Sequence, residues 1–356
     1  MATDTVNIKI TKVEESRINT VDFNNLPFGK FFSDHMFEMD FADGKWQTPT
    51  IVPFANLSLH PATSAIHYGQ SIFEGLKAQK GENGEVLIFR PDMNAKRFNQ
   101  SALRMSMEPI PEELFLEGLK ALLDLDRDWV SAKEGQSLYI RPFMFATDDY
   151  VGIRPSEKYK FLIITSPVGA YYSEPVPVKI ETYYTRAAQG GVGKAKAAGN
   201  YAASLYPAKL AAEEGYRQLI WTDAKTHEYI EEAGTMNVVF VINDTVITPS
   251  EENDTILQGI TKKSVLQIAR EWGYTVEERK ITVAEIIEAL KAGTVQDAFG
   301  AGTAATIAHI NLIGFEGVNY DLPPVETRVL SNRIKNHITD YKKGRVEDKN
   351  NWLMRV

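Results

Sequence analysis

Two short turn signals, Asp43-Gly44 and Asn83-Gly84, each lie between runs of extended-chain residues, and they constrain the fold more than any other local feature. Dipeptides of this type favour tight antiparallel hairpins because the turn needs positive φ at its centre. The first joins "SDHMFEMDF" to "QTPTIVPF" through "ADGKW", and "LKAQKGENGEVLIFR" repeats the device. A doubly wound parallel sheet needs β-α-β crossovers instead, and no G-x-G-x-x-G follows a strand-like run. The expected class is therefore α+β, or mixed α/β.

Helical periodicity follows in "NAKRFNQSALRMSM" and in "PEELFLEGLKALLDLDRDW", where Leu114, Leu116, Leu119, Leu122 and Leu123 recur at near-helical spacing. Strand-like "SLYIRPFMFA" and "KYKFLIITSPV" close the first half, and the two prolines of "GAYYSEPVPV" mark a restart. Beyond it come the extended run "KIETYYT", a helix from about Tyr201 to Glu214, the strands "RQLIWTD" and "MNVVFVI", and a helix over "TKKSVLQIAREWG". A chain of 356 residues exceeds the usual single core. The expected organisation is a smaller N-terminal domain over 1–170, a connection over 171–180 and a C-terminal domain over 181–356.

Composition excludes several classes. The formal charge is -8 and no basic run could neutralise a series of phosphates, which argues against nucleic acid as a partner. No apolar stretch approaches the ~20 residues of a bilayer span, and "MATDTVNIKITKVEESR" lacks a signal-peptide core, so a cytoplasmic location is expected, with no membrane partner. There is no cysteine, and the six histidines are scattered without ligand spacing, so no metal is expected.

The stretch "GGVGKAKAAGNYAAS" sets Lys194 and Lys196 among glycines and alanines. Small, apolar neighbours promote a neutral, nucleophilic amine and admit a planar cofactor, which suits a Schiff-base lysine. Spacing does not separate the two lysines, since residues i and i+2 of a strand share a face. In "YIEEAGTMN", by the same alternation, Glu231 and Glu232 would point to opposite sides of an extended strand.

"GGVGKAKAAGNY", "EEAGTMN" and "FGAGTAA", in this order, resemble the branched-chain amino-acid aminotransferases of the fold-type IV pyridoxal-phosphate enzymes. The likeness extends through "FGKFFSDHM", "LHPATSAIHYGQSIFEGLKA", "RPDMNAKRFNQSALRM", "SLYIRP", "PVGAYY" and a C-terminal helix near "RVLSNRIK". It implies the two-domain fold-type IV architecture, pyridoxal 5'-phosphate as cofactor, and a homodimer. The family pattern, a lysine, two small residues and then Gly-Asn-Tyr, selects Lys196, and E-x-G-T-M-N selects Glu232 as the carboxylate facing the cofactor's ring nitrogen.

The resemblance further implies Tyr201 at the cofactor's phenolic oxygen and Arg97 with the amides of Ile260 and Thr261 at its phosphate, where a helix N-terminus offers free N–H groups. Thr303 is implied in both cofactor and substrate binding, and with Ala304 it would receive the substrate carboxylate. Phe28, Tyr68, Phe73, Tyr139, Arg141 and Tyr171 match the positions that line the side-chain pocket. The implied reaction moves the amino group of leucine, isoleucine or valine to 2-oxoglutarate. A D-amino-acid aminotransferase or aminodeoxychorismate lyase would share lysine, glutamate and phosphate site, and a non-catalytic protein would share the fold. "SLYIRP", "PVGAYY" and "FGKFFSDHM" argue against the two enzymes, and intact Lys196, Glu232, Tyr201 and Arg97 against the third. Where some family members carry C-x-x-C, this chain reads Ala305-Thr306-Ile307-Ala308, which removes thiol regulation.

Overall fold

The computed structural model describes residues 7–169 and 174–356. They fall into two compact units, one of Met1–Tyr171, Ala195–Ala198 and Asp340–Val356, the other of Tyr172–Lys194 and Gly199–Thr339.

The first unit is built on a 10-stranded sheet. Its centre is the antiparallel pair Ser137–Ala146 and Tyr159–Val168, flanked by His35–Ala42 on one side and by Leu76–Lys80 and Val86–Phe89 on the other. Asp43 and Gly44 turn the first hairpin with φ of 54° and 72°. Alternation along Ser137–Ala146 sends Leu138, Ile140 and Met144 into the core, where Phe98 of helix Pro91–Arg104 and Leu119, Leu122 and Leu123 of helix Glu112–Leu125 cover the sheet. Tyr139 and Arg141 fall on the other parity and leave that core.

The second unit holds a 9-stranded sheet. Six of its strands close on themselves: Ile230–Ala233, Gln218–Thr222, Val176–Ile180, Thr306–Phe315, Val295–Gly302 and Met236–Ile242, the last pairing back to the first. Closure removes the exposed edges of those six strands. Thr245–Pro249 and Thr275–Arg279 extend the sheet. The turn into Thr245–Pro249 is Asn243-Asp244, at φ of 47° and 60° without a glycine, a hairpin signal the sequence reading passed over. Helices Ala198–Glu213, Ile260–Glu271 and Val283–Lys291 belong to this unit, the last capped by Thr282, whose Oγ1 accepts from Glu285 N at 3.0 Å.

Two boundaries differ from the expected ones. Val176–Ile180, half of the expected connection, is a strand in the second sheet, because the prolines of "EPVPV" fall where the chain enters it and at an inward register shift. The C-terminal segment pairs with the first sheet, Leu353–Arg355 running antiparallel to Val86–Phe89, with the Trp352 ring 5.5 Å from that of Phe89. A three-residue strand is too short to show its own periodicity. Among the described residues no helix is long and apolar enough to cross a membrane.

Candidate active site

Lys194 and Lys196, two residues apart in sequence, belong to different units. Lys194 reaches Asp254 at 2.8 Å, and both side chains are exposed by more than a third. Lys196 is fixed through its backbone: its N–H donates to Ser101 Oγ at 2.9 Å and its carbonyl accepts from Phe73 N at 3.1 Å. Its Nζ stands 4.7 Å from the centre of the Phe73 ring. The tertiary structure thus separates two lysines that spacing left equivalent.

Beside Phe73 lies Glu74, which the sequence reading did not single out. It is fully buried and takes Arg97 in both directions, Nε to Oε1 at 2.7 Å and the guanidinium NH2 to Oε2 at 2.9 Å, with Asn94 Nδ2 adding 2.7 Å to Oε2. Burial by itself raises the Glu74 pKa, but Arg97, Lys196 and Asn94 outweigh it and hold the carboxyl below its ordinary range. Arg97 is therefore anchored at one edge by a carboxylate, which fixes the direction of the rest of its donor fork. The signal in the sequence was a glutamate inside the apolar run "SIFEGL".

Tyr139, Arg141, Phe73 and Phe28 form one cluster. The Arg141 guanidinium lies 4.6 Å from the Phe73 ring centre and 5.3 Å from that of Tyr139, and donates to Tyr139 Oη at 2.8 Å. Phe28 meets the Tyr139 ring edge-on at 4.9 Å. Gly75 makes room for this arrangement, since a Cβ there would come 2.4 Å from Tyr139 Oη. Arg141 Nε is buried with no hydrogen-bond partner among the described residues. Tyr68 ends the short helix Ser64–Tyr68 and is 42% exposed, its ring beside His67. Tyr171 lies outside the described residues.

In the second unit Glu232 is buried on strand Ile230–Ala233. Its Oε1 accepts from Leu257 N at 2.7 Å and from Asn237 Nδ2 at 3.3 Å, and Arg186 Nε stands 3.0 Å from Oε2. Asn237 also donates to the Leu257 carbonyl at 2.9 Å. Gly259 has to be a glycine at this point, because a Cβ would lie 1.7 Å from Asn237 Oδ1. One asparagine thus ties the carboxylate to the Leu257 carbonyl and packs against Gly259, the residue that caps helix Ile260–Glu271. Ile260 and Thr261 open that helix, where the first N–H groups have no partner within it. Tyr201 sits in the first turn of helix Ala198–Glu213, and Thr303 and Ala304 occupy the turn after strand Val295–Gly302, all three half-buried.

The regular alternation expected for Glu231 and Glu232 does not hold. Trp221 pairs with Glu232 but Thr222 with Ile230, so a bulge inserts Glu231 as an extra residue, and both glutamates are buried. Arg186 and Glu231 are further residues that sequence reasoning left unused. No local signal marks Arg186, whose partners Thr255 and Glu232 lie on segments distant in sequence.

These donor sets fit a pyridoxal phosphate: a buried carboxylate held by two N–H donors and paired with an arginine would keep a ring nitrogen protonated, and an open helix N-terminus would take a phosphate. Residues 71–313 match the class IV aminotransferase family. The chain is 44% identical to branched-chain-amino-acid aminotransferase 2 of Bacillus subtilis, covering 100% of this chain and 98% of that one. It is 46% identical to a probable branched-chain-amino-acid aminotransferase of Staphylococcus aureus, over 94% of each. Its fold superposes on the branched-chain aminotransferase of Thermoproteus uzoniensis, solved with norvaline, at a TM-score of 0.73, 25% identity and coverage of 90% and 99%. With its lysine loop, its buried glutamate and its helix N-terminus all carried on the matching fold, the chain belongs to the class IV aminotransferases, among the branched-chain amino-acid aminotransferases.

Proposed function

We propose that this aminotransferase uses pyridoxal 5'-phosphate to exchange the amino group of L-leucine, L-isoleucine or L-valine with that of L-glutamate, through the corresponding 2-oxo acids. Bound to Lys196, the cofactor supplies an electron sink for the substrate's α-carbon. Lys196 Nζ takes the α-proton and returns it during the transfer. Glu232 holds the ring nitrogen protonated, and Tyr201 donates to the phenolic oxygen. Arg97 and the amides of Ile260 and Thr261 bind the phosphate, and Thr303 contacts the cofactor. Thr303 and Ala304 receive the substrate's α-carboxylate. Phe28, Tyr68, Phe73, Tyr139 and Tyr171 enclose the aliphatic side chain, whose full burial is worth roughly 1.5–3 kcal/mol. The active form is a homodimer in the cytoplasm. Exposed apolar side chains such as Ile66, Val151 and Ile153 support self-association, and a fully active monomer in light scattering at assay concentration would reject it.

The observation that carries the pairing of an apolar substrate with an acidic one is Arg141. Its guanidinium lies against two aromatic rings and keeps a buried Nε–H without a hydrogen-bond partner among the described residues. A buried donor of this kind favours a distal carboxylate, while the rings favour an aliphatic chain. Arg141→Gln should raise KM for glutamate and 2-oxoglutarate at least about tenfold and that for leucine less than about threefold. Equal losses in half-reaction kinetics would assign Arg141 to the fold or to the α-carboxylate instead.

A further inference from the structure

Strand Ile230–Ala233 is bulged where two carboxylates stand side by side. Glu231 is the extra residue between the pairs Trp221–Glu232 and Thr222–Ile230, and bulges beside sites re-aim side chains. Glu231 is 6% exposed, and its Oε2 has no hydrogen-bond partner among the described residues. The guanidinium of Arg186 acts electrostatically on Glu231 as well as on Glu232. The Arg186 side chain is 9% exposed and donates to the backbone carbonyls of Thr255 and Gly193, yet its Nε faces Glu232 Oε2 at 3.0 Å without the alignment of a hydrogen bond. An acceptor lacking a donor and a donor lacking an aligned acceptor therefore occupy one cluster.

We propose that Glu231 is a positioning residue of the cofactor carboxylate: it shares Arg186 with Glu232, and when Glu231 ionises it draws the guanidinium away from Glu232. This rests on the reading of Glu232 as the group that faces the cofactor's ring nitrogen. The groups acting on Glu231 are Arg186 from the segment after Val176–Ile180, Glu232 on its own strand, Asp223 from the turn before that strand, and the hydroxyl of Thr255. Burial is the largest influence and raises its pKa, Glu232 and Asp223 act in the same direction, Thr255 and Arg186 oppose them, and the net shift is upward from 4.5. A protonated Glu231 makes no claim on the guanidinium and leaves it to Glu232. An ionised Glu231 competes for it, so the orientation of Glu232 acquires a pH dependence.

The test titrates the apo-protein with pyridoxal phosphate, and separately melts it, from about pH 4 to about pH 8 in wild type, Glu231→Gln, Arg186→Lys and the double variant. Glutamine keeps the shape of the neutral acid. Wild-type affinity should fall about three- to tenfold as Glu231 ionises, and that component should be missing in Glu231→Gln. A buried acid whose folded pKa is raised loses its stabilising contribution as pH climbs from 4.5 through the folded value, so apo Glu231→Gln should gain in Tm relative to wild type over that interval. Arg186→Lys should weaken binding at every pH and abolish the difference between glutamate and glutamine at 231. An unchanged pH profile in Glu231→Gln, or additive effects of the two substitutions, would overturn the proposal. Should Glu231→Gln not fold, Arg186→Lys alone must lose the wild-type transition, and its persistence there would be equally fatal. If no variant bound pyridoxal phosphate at any pH, the cofactor reading would fail, and the Tm comparison would still decide whether Arg186 is shared.

Discussion

Two buried arginine–carboxylate clusters, one in each unit, are built from the same residue types and reach opposite balances. Around Glu74 one carboxylate meets one arginine through two N–H bonds, and Asn94 adds a third. Around Arg186 the guanidinium pairs with Glu232 and acts on Glu231 through its charge alone, and buried polar atoms are left without aligned partners among the described residues. Burial raises the pKa in both places. It is outweighed at Glu74, which is shifted down, and prevails at Glu231, which is shifted up. At comparable burial, the ratio of arginines to carboxylates decides whether a buried acid stiffens the fold or stays responsive to protons.

The largest effect should come from breaking the balanced cluster. Glu74→Ala removes both carboxylate bonds of the buried Arg97 guanidinium and should cost about 3–5 kcal/mol of stability in denaturant unfolding. A loss below about 1 kcal/mol would erase the distinction between the two clusters.

Glu232→Gln should slow transamination on the order of a hundredfold, as loss of a charge placed against a developing one does, with a smaller change in cofactor affinity. Single-turnover rates alongside cofactor titrations separate the two quantities. If Glu231→Gln proved the slower enzyme, the two glutamates would have exchanged roles.

A smaller effect is the contrast in pH slope. Glu74, depressed in the folded state, contributes stability above its ordinary 4.5 that is lost as pH falls through the folded value, so Glu74→Gln should cost most near neutrality and least in acid. Glu231 runs the other way. Melting curves of the two variants across the acid range should therefore diverge from wild type with opposite slopes, and parallel slopes would break the comparison.

The smallest effect belongs to the exposed pair Lys194–Asp254. Lys194→Ala should cost no more than about 1 kcal/mol and leave the transamination rate within about twofold. Borohydride reduction and peptide mapping should find the cofactor on Lys196, and its recovery on Lys194 would reverse the assignment.

Much of this molecule was legible in its residues. Asp43-Gly44 announced a hairpin because that turn needs positive φ, and both residues adopt it. The leucines of "PEELFLEGLKALLDLDRDW" announced helix Glu112–Leu125 through a period set by the backbone itself. The motif order carried the family, since several short patterns in one sequence are jointly restrictive even where each is common alone. That Gly259 has to be a glycine, because Asn237 approaches it, emerged only with the strand and the helix in place.

Local spacing, turn chemistry and motif register are properties of neighbouring residues, and these the sequence determined by itself: the class of fold, helices such as Glu112–Leu125 and Ile260–Glu271 but not Val283–Lys291, and Lys196 and Glu232 as candidates. The tertiary structure decided which residues face them. Glu74 and Arg97 are 23 positions apart, and Arg186 and Glu232 are brought together by different segments, so no window along the chain contains either pair. The bulge at Glu231 is likewise a relation between two strands rather than a property of one. Charge pairing in a buried site depends on distance and on the exclusion of water, and both exist only after the chain has folded.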